Sequence, residues 1–589
     1  MNRKQRRAMQ GQGLGGQGVG TLAGQAPPLA AAESARRLFG EAVRHQHLGK
    51  LNEAARLYRQ VLSLEPDDAE ASNNLGCVFL AQGKLKEARA RFERALVLVP
   101  QLFDDFPSIR ALLVAVNPTV GEGMKRAAGA WPRRLPARDL LGPAGIAAAF
   151  SDALLARVLE STTVRDADLE RLLTAIRLDL LQAVGAAAGD RVEEAVLGAC
   201  CVLARQCFIN EYVFALTPEE AEQAERLKGM LINALRQGSR IPAPWPAAVA
   251  MYFPLHSLPG AQALLDRAWP APLAEVVGQQ VREPSEELQY RGSIARLTAI
   301  EDDVSVLVRR QYEEHPYPRW VRAASVPAPV TLDEHLRNTF PSAGVRPLGN
   351  SDGIDILVAG CGTGRHPIEV AQKYREARVL AVDLSLASLC YAKRKTPLAS
   401  KIEYAQADIL KLGSIDRTFD LIDASGVLHH LADPLAGWRA LLSLLRPGGF
   451  MRVGLYSELA RRDVVAARAF IAERGYRPTA DDIRRCRQEL LSSPLEGATK
   501  AGDFFSTSEC RDLLFHSQEC RMTIPQIKSF LAENDLRFIG FEFAPQILQH
   551  YRGLFGGDNF MRDLDRWHAF ETARPDTFAG MYQFWIQKD

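Results

Sequence analysis

The sequence predicts a multidomain chain, with all-α helical repeats and a helical middle region ahead of an α/β domain built on a mainly parallel sheet. Three observations carry that prediction. A stretch near the start occurs twice at a period of about 34 residues. Residues 102–325 are rich in Ala, Leu, Glu and Arg, with apolar residues three and four apart. From residue 354 short apolar runs alternate with helical ones, as parallel strands joined by right-handed crossovers require. A chain of 589 residues is also too long for one hydrophobic core, so about two to four domains are expected.

Composition narrows the class. The chain is 47% hydrophobic and 24% charged with a net charge of +2, too balanced to grip nucleic acid or an acidic membrane surface, and neither is expected as a partner. Its nine cysteines lack paired metal-ligand spacing and suit buried thiols in a reducing compartment. The basic start, MNRKQRRAMQ, runs into a Gly/Gln-rich stretch rather than an apolar core, so no secretory signal is expected. The longest apolar run, residues 195–204, is about half of what a bilayer-spanning helix needs. A cytoplasmic protein is expected, with residues 1–33 as a disordered tail.

Residues 34–101 contain the repeats. GKLNEAARLYRQVLSLEP in the first copy aligns with GKLKEARARFERALVLVP in the second. Small residues (Ala42 and Gly76, Ala54 and Ala88) allow two helices to approach, and Tyr58 and Phe92 fill the space between them. Pro66 and Pro100 end each second helix. This pattern resembles the tetratricopeptide repeat, with Leu75, Gly76, Phe79, Ala88, Phe92, Ala95 and Pro100 on the signature positions; the first copy departs at Glu41 and His45. The resemblance implies a protein partner, or else a scaffold that packs on the following helices, since two repeats cannot close a solenoid core.

In the middle region, residues 131–143 and 241–246 read as proline-rich linkers. CFINEYVF (207–214) reads as a core helix. QYEEHPYPRW (311–320) is aromatic, charged and stiffened by proline, and Tyr312, Tyr317, Arg319 and Trp320 are candidate lid or substrate residues.

The C-terminal region, 326–589, holds the most specific pattern. IDILVAG is a buried strand that runs into GCGTG, whose Gly360, Gly362 and Gly364 precede a helix. The next strand ends at Asp383, 23 residues past Gly360, followed by Leu384; the third ends at Asp408 and Ile409. A fourth leads into SGVLHHLADP, and Pro447, Gly448 and Gly449 turn the following helix into a fifth. A glycine loop alone also fits a dinucleotide site. The ordered set resembles the class I S-adenosylmethionine-dependent methyltransferases over about 200 residues. That resemblance implies a Rossmann-like domain with a mainly parallel seven-stranded sheet and an antiparallel last strand. It implies S-adenosylmethionine as cofactor, with Gly360, Gly362 and Gly364 at its methionine part. Asp383 and Leu384 would lie at the ribose, Asp408 and Ile409 at the adenine, and Ser425 and Gly426 at the methyl-donor end. The last two strands fall on LRFIGFEF and MYQFWIQKD, after a helical insertion at about 458–520 in which DFFSTSECRDLLFHSQE is a candidate lid.

Methyl transfer from a sulfonium needs alignment and desolvation, and a base only when the acceptor carries a proton. His429 and His430, just beyond the fourth strand, are the candidate catalytic residues. The carboxylates that could hold a metal in the related quinone enzymes are missing here, so no metal is expected. The acceptor, an oxygen or nitrogen on an unknown molecule, is not legible; a protein acceptor docked on the repeats and an inactive binding scaffold are the competing possibilities.

Overall fold

The computed structural model describes residues 28–99, 107–142, 145–187, 192–323, 329–349, 353–499, 502–543, 545–556 and 561–589. The expected disordered tail falls almost wholly outside them. The chain divides into two compact units, residues 1–66 and 67–589. In the first, α1 (Pro28–His47) and α2 (Leu51–Leu64) form an antiparallel pair, with the Tyr58 ring edge-on to Phe39 and its hydroxyl donating to Gln46 at 2.8 Å. In the second, α3 (Ala69–Ala81) and α4 (Leu85–Leu98) repeat that hairpin. Asp68 caps α3 by accepting from the Ala71 amide, satisfying a donor that the helix leaves open.

The middle region is helical, as its periodicity predicts. Two stretches expected to be linkers are instead structured. Residues 244–249 form a buried helix, Pro244–Val249, because proline at the first helical turn costs no hydrogen bond. Within 131–143 the helix Ala137–Leu141 buries Leu140 and Leu141.

One mixed sheet holds the C-terminal part together: β1 (Ala295–Arg296), β2 (Ile354–Ala359), β3 (Ala377–Asp383), β4 (Ile402–Gln406), β5 (Phe419–Ser425), β6 (Leu445–Leu455), β7 (Leu536–Phe541) and β8 (Tyr582–Lys588), in the order β1-β4-β3-β2-β5-β6-β8-β7. Only β8 runs antiparallel to its neighbours. The count is eight rather than seven because β1, a two-residue strand from the middle region, pairs with β4. Period-two alternation sends Ile356, Val358, Val379 and Ala381 into one core and Leu357, Ala359, Leu380 and Val382 into the other.

Two connections differ from expectation. Pro447, Gly448 and Gly449 lie inside β6 as an irregularity, so that Phe419 faces Leu445 but Leu421 faces Phe450. The last two strands, between which the sequence pattern places no element, are joined by the helices Pro545–Phe555 and Leu564–Ala573. The insertion after β6 forms helices Arg462–Arg474, Ala480–Leu490, Glu496–Thr499 and Thr507–Phe515 around a small core of its own. Among the described residues, Cys200, Cys201, Cys207, Cys361, Cys390, Cys486, Cys510 and Cys520 form no disulfide. No helix among the described residues is long and apolar enough to cross a membrane.

Candidate functional site

The glycine loop leaves the end of β2 with φ of +72°, +51° and +85° at Gly360, Gly362 and Gly364, a left-handed backbone that side chains resist. Packing reinforces the requirement. A Cβ on Gly360 would lie 2.3 Å from Val427, one on Gly362 2.7 Å from the Tyr317 carbonyl, and one on Gly364 2.3 Å from Ala392. Asp383 ends β3 and clasps this loop: Oδ2 accepts from the Gly362 amide and Oδ1 from the Ser385 amide, each at 2.8 Å. Burial nonetheless pushes its carboxyl up to about 6. Asp408, just past β4, donates its amide to Thr298 and accepts from the Leu410 amide on Oδ1. Its Oδ2 is buried without a hydrogen-bond partner.

Gly360, Gly362, Asp383 and Asp408 open onto one cavity of about 370 Å³ whose wall also includes Leu384, Ile409, Ser425 and Gly426. His366 also lines it, its Nε2 2.8 Å from Asp423, and Arg452 lies 3.3 Å from the same carboxylate. Burial alone would raise the Asp423 carboxyl, but these two neighbours hold it well below the usual range.

The opposite wall comes from three distant segments. The helix Asp303–Glu314 brings Ser305, Val308 and Tyr312, and Tyr317 follows it; the end of β6 gives Tyr456; the insertion gives Asp512; His430 and Met581 complete it. The Tyr312 hydroxyl donates to Asp512 at 2.5 Å and lies 3.2 Å from His516 Nε2. His516 Nδ1 accepts from the Gln518 amide at 3.0 Å, which leaves the proton of the neutral ring on Nε2, facing Tyr312. His430 Nδ1 faces the Gln518 carbonyl at 3.1 Å, so it carries the proton there and keeps a lone pair on Nε2. Burial, joined by its stacked neighbour His430, lowers His516 to about 2, and burial also lowers His430. Both are neutral at pH 7.

Two inputs from the middle region hold this wall. Glu211, expected in a core helix, sits with Tyr212 at positive φ just past the helix Glu194–Ile209. Its carboxylate pairs with Arg319 at 3.1 Å and accepts from the Ser508 amide at the start of the helix that carries Asp512. Arg487 of the insertion forms a fully buried pair with Glu170 at 2.9 Å.

Of the residues chosen from sequence, Gly360, Gly362, Asp383, Leu384, Asp408, Ile409, Ser425, Gly426, Tyr312, Tyr317 and His430 meet at this cavity. Gly364, His429, Arg319 and Trp320 do not line it. Gly364 packs beneath the loop on Ala392. His429 is buried behind His430, its ring 4.0 Å from that of Tyr456. Arg319 turns away to Glu211, and Trp320 packs on Tyr391 while its indole N–H donates to the Thr363 carbonyl. Asp512, Tyr456 and Met581 were missed; the aromatic and charged character of 503–519 was the available signal for the first. The expectation of no metal also overlooked a grouping: His430, Asp512 and His516 place one ligand atom each within 4.8 Å of one another. The hydrogen bonds assign His516 Nε2 as a donor rather than a ligand.

A glycine loop, a carboxylate at the end of the second core strand and an orphaned acceptor at the end of the next fit a nucleoside with two ribose hydroxyls and an exocyclic amine. They define the C-terminal part as an S-adenosylmethionine-dependent methyltransferase. Known proteins agree: residues 356–449 match the family model described as "Methyltransferase domain", and residues 39–102 match "Tetratricopeptide repeat". The chain is thus a fusion of tetratricopeptide repeats to a methyltransferase. It is 27% identical over 310 residues to an uncharacterized protein of Synechococcus sp., covering 48% of this chain and 70% of that one. It is 28% identical over 145 residues to phosphoethanolamine N-methyltransferase 3 of Arabidopsis thaliana, covering 24% of this chain and only 29% of the plant enzyme. Among solved structures it is similar to PKMT2 from Rickettsia typhi in complex with AdoHcy, with a TM-score of 0.35 and 17% identity, over 45% of this chain and 55% of that one.

Proposed function

We propose that the protein methylates an oxygen or nitrogen of an acceptor that enters the cavity between the glycine loop and the Tyr312–Asp512 wall, and that its repeats bind a protein partner. The observation that supports this most is the single cavity in which the donor residues and a neutral, proton-accepting His430 meet. Gly360 and Gly362 would hold the methionine part of S-adenosylmethionine, Asp383 the ribose diol, Asp408 and Ile409 the adenine, and Ser425 and Gly426 the donor end. Asp408 Oδ2 gains the hydrogen bond it lacks, which makes leaving it empty costly. When bound, the cofactor supplies a methyl group on a sulfonium whose S–C bond breaks with both electrons left on sulfur.

The chain's own part is alignment and proton removal. Tyr312, Tyr317, Leu431 and Met581 exclude water from the acceptor end. His430, its tautomer fixed by the Gln518 carbonyl, takes an acceptor proton on Nε2.

Calorimetric titration with S-adenosylhomocysteine tests the donor site. Binding that Asp383→Ala weakens is expected; no binding to the wild type would sink the enzyme reading and leave a scaffold. Incubation of the full chain with methyl-labelled cofactor and cell extract then separates acceptors, since label in the small-molecule fraction or in protein decides between a metabolite and a docked polypeptide.

A further inference from the structure

Among the described residues, the carboxylate at the acceptor end of the cavity is Asp512. Asp512 is 5% exposed, and its Oδ1 is engaged by the Tyr312 hydroxyl. Three phenol rings, Tyr312, Tyr317 and Tyr456, share the wall with it, and the Tyr312 and Tyr317 rings stack 6.3 Å apart. Three guanidiniums on or next to the insertion are absent from the cavity lining and pair elsewhere. Arg461 and Arg468 both pair with Glu519, at 2.6 and 3.0 Å, and Arg511 pairs with Glu314 at 3.0 Å. Arg461 lies 3.7 Å over the Tyr456 ring and is not among the residues that line the cavity. Of the other titratable wall residues, Arg365 pairs with Glu369 at 3.0 Å beside the glycine loop, His366 pairs with Asp423 at 2.8 Å, and Asp383 and Asp408 lie at the ends of β3 and β4.

Resting on the methyl-transfer reading above, we propose that the acceptor is an amine that enters as its ammonium ion, anchored by Asp512 and walled by Tyr312, Tyr317 and Tyr456. An ammonium is attracted by the negative faces of aromatic rings, and the attraction grows once water is excluded. A carboxylate in the same wall compensates its charge, whereas a carboxylate or phosphate acceptor would be repelled by Asp512 while Arg461, Arg468 and Arg511 are engaged by other carboxylates. The arrangement also supplies the chemistry an ammonium requires. The N–H bond breaks, the proton passes to the lone pair on His430 Nε2, and the electron pair left on nitrogen forms the new N–C bond. The S–C electrons stay on sulfur. The product is a methylated ammonium, and the imidazolium returns its proton to water.

The test is a calorimetric titration of the full chain, saturated with S-adenosylhomocysteine, with tetramethylammonium chloride and separately with sodium acetate. Tetramethylammonium is expected to bind and acetate not to. Asp512→Asn, which keeps an acceptor for Tyr312, should weaken tetramethylammonium roughly tenfold or more. Absence of tetramethylammonium binding, binding indifferent to Asp512→Asn, or preference for acetate overturns the proposal. Should Asp512→Asn not fold, Tyr317→Leu on the same wall serves instead, with an expected loss of roughly threefold or more. The S-adenosylhomocysteine affinity measured in the same samples reports on the donor half alone. Retained S-adenosylhomocysteine binding without ammonium binding therefore refutes the amine and spares the methyltransferase.

Discussion

The rings of His430 and His516 stack with centroids 3.8 Å apart and planes 17° from parallel, and the backbone of one residue, Gln518, hydrogen bonds to both. Two imidazoles at that distance cannot both be charged, and the Gln518 N–H and C=O assign each ring its own neutral tautomer.

That pairing makes stability depend on pH. His516 titrates near 2 in the folded chain and near about 6.5 when unfolded, so the unfolded chain binds a proton that the folded one refuses. Its contribution is therefore lost progressively as pH falls below about 6.5, at roughly 1.4 kcal/mol per pH unit. In urea titrations between pH 7 and 5, His516→Gln should lose that share of the slope; an unchanged slope would show that His516 is not held neutral.

Asp383 predicts a dependence in the same direction, in binding rather than stability. Its folded carboxyl titrates near 6, and the proposed ribose contact needs the ionised form to accept two hydroxyls. S-adenosylhomocysteine affinity should be flat above neutral pH and fall by up to about tenfold per unit below about 6. Asp383→Asn should remove the dependence and weaken binding at pH 8 by roughly ten- to a hundredfold. A wild-type affinity constant down to pH 5 would exclude this contact.

Two glycines of the site should respond differently to alanine. At Gly364 the methyl group meets Ala392 at 2.3 Å on a left-handed backbone, so Gly364→Ala should cost several kcal/mol, about 2–4, in folding. At Gly426 the nearest atom is the Met581 methyl at 3.9 Å, so only the backbone cost of about 1–2 kcal/mol applies. Thermal melts in the two variants should differ accordingly, with the cofactor cavity affected chiefly in the second.

Arg487 and Glu170 link the insertion to the middle region through a pair without solvent access, and removing one partner strands the other. Arg487→Ala should destabilise by about 3–5 kcal/mol. Hydrogen exchange should rise first in the Thr507–Phe515 helix, which carries Asp512. Uniform loss of protection across the sheet instead would show that the insertion has no separate hold on the site.

The tautomers also bear on metal binding. With its proton on Nε2, His516 presents no lone pair toward Asp512, so chelator treatment should leave turnover unchanged. Stoichiometric zinc binding abolished by His516→Ala would reverse the assignment.

The donor half was legible because strand ends fix it. Once β2, β3 and β4 are recognised, Gly360, Asp383 and Asp408 must lie at one edge of the sheet. The acceptor wall follows no such rule. Tyr312 and Asp512 lie 200 residues apart and meet only through helix packing. Within 311–320 the composition marked the right segment but not its facing, since Tyr317 turns inward while Arg319 is drawn off by Glu211. Glu211 itself read as core, because a left-handed pair after a helix leaves no mark when it is not glycine. β1 escaped notice because two residues cannot show a period.

That short strand has a bearing on how such chains are divided and recombined. Ala295 and Arg296 cover the outer edge of β4, and Thr298 next to them holds the Asp408 amide. A fragment cut at residue 326, where the sequence pattern places the start of the C-terminal region, would lose both. It would present β4 as a bare edge, open to pairing with another copy and to aggregation. The catalytic half is therefore not a portable cassette: the smallest piece that evolution or an experimenter can move intact begins upstream of residue 295.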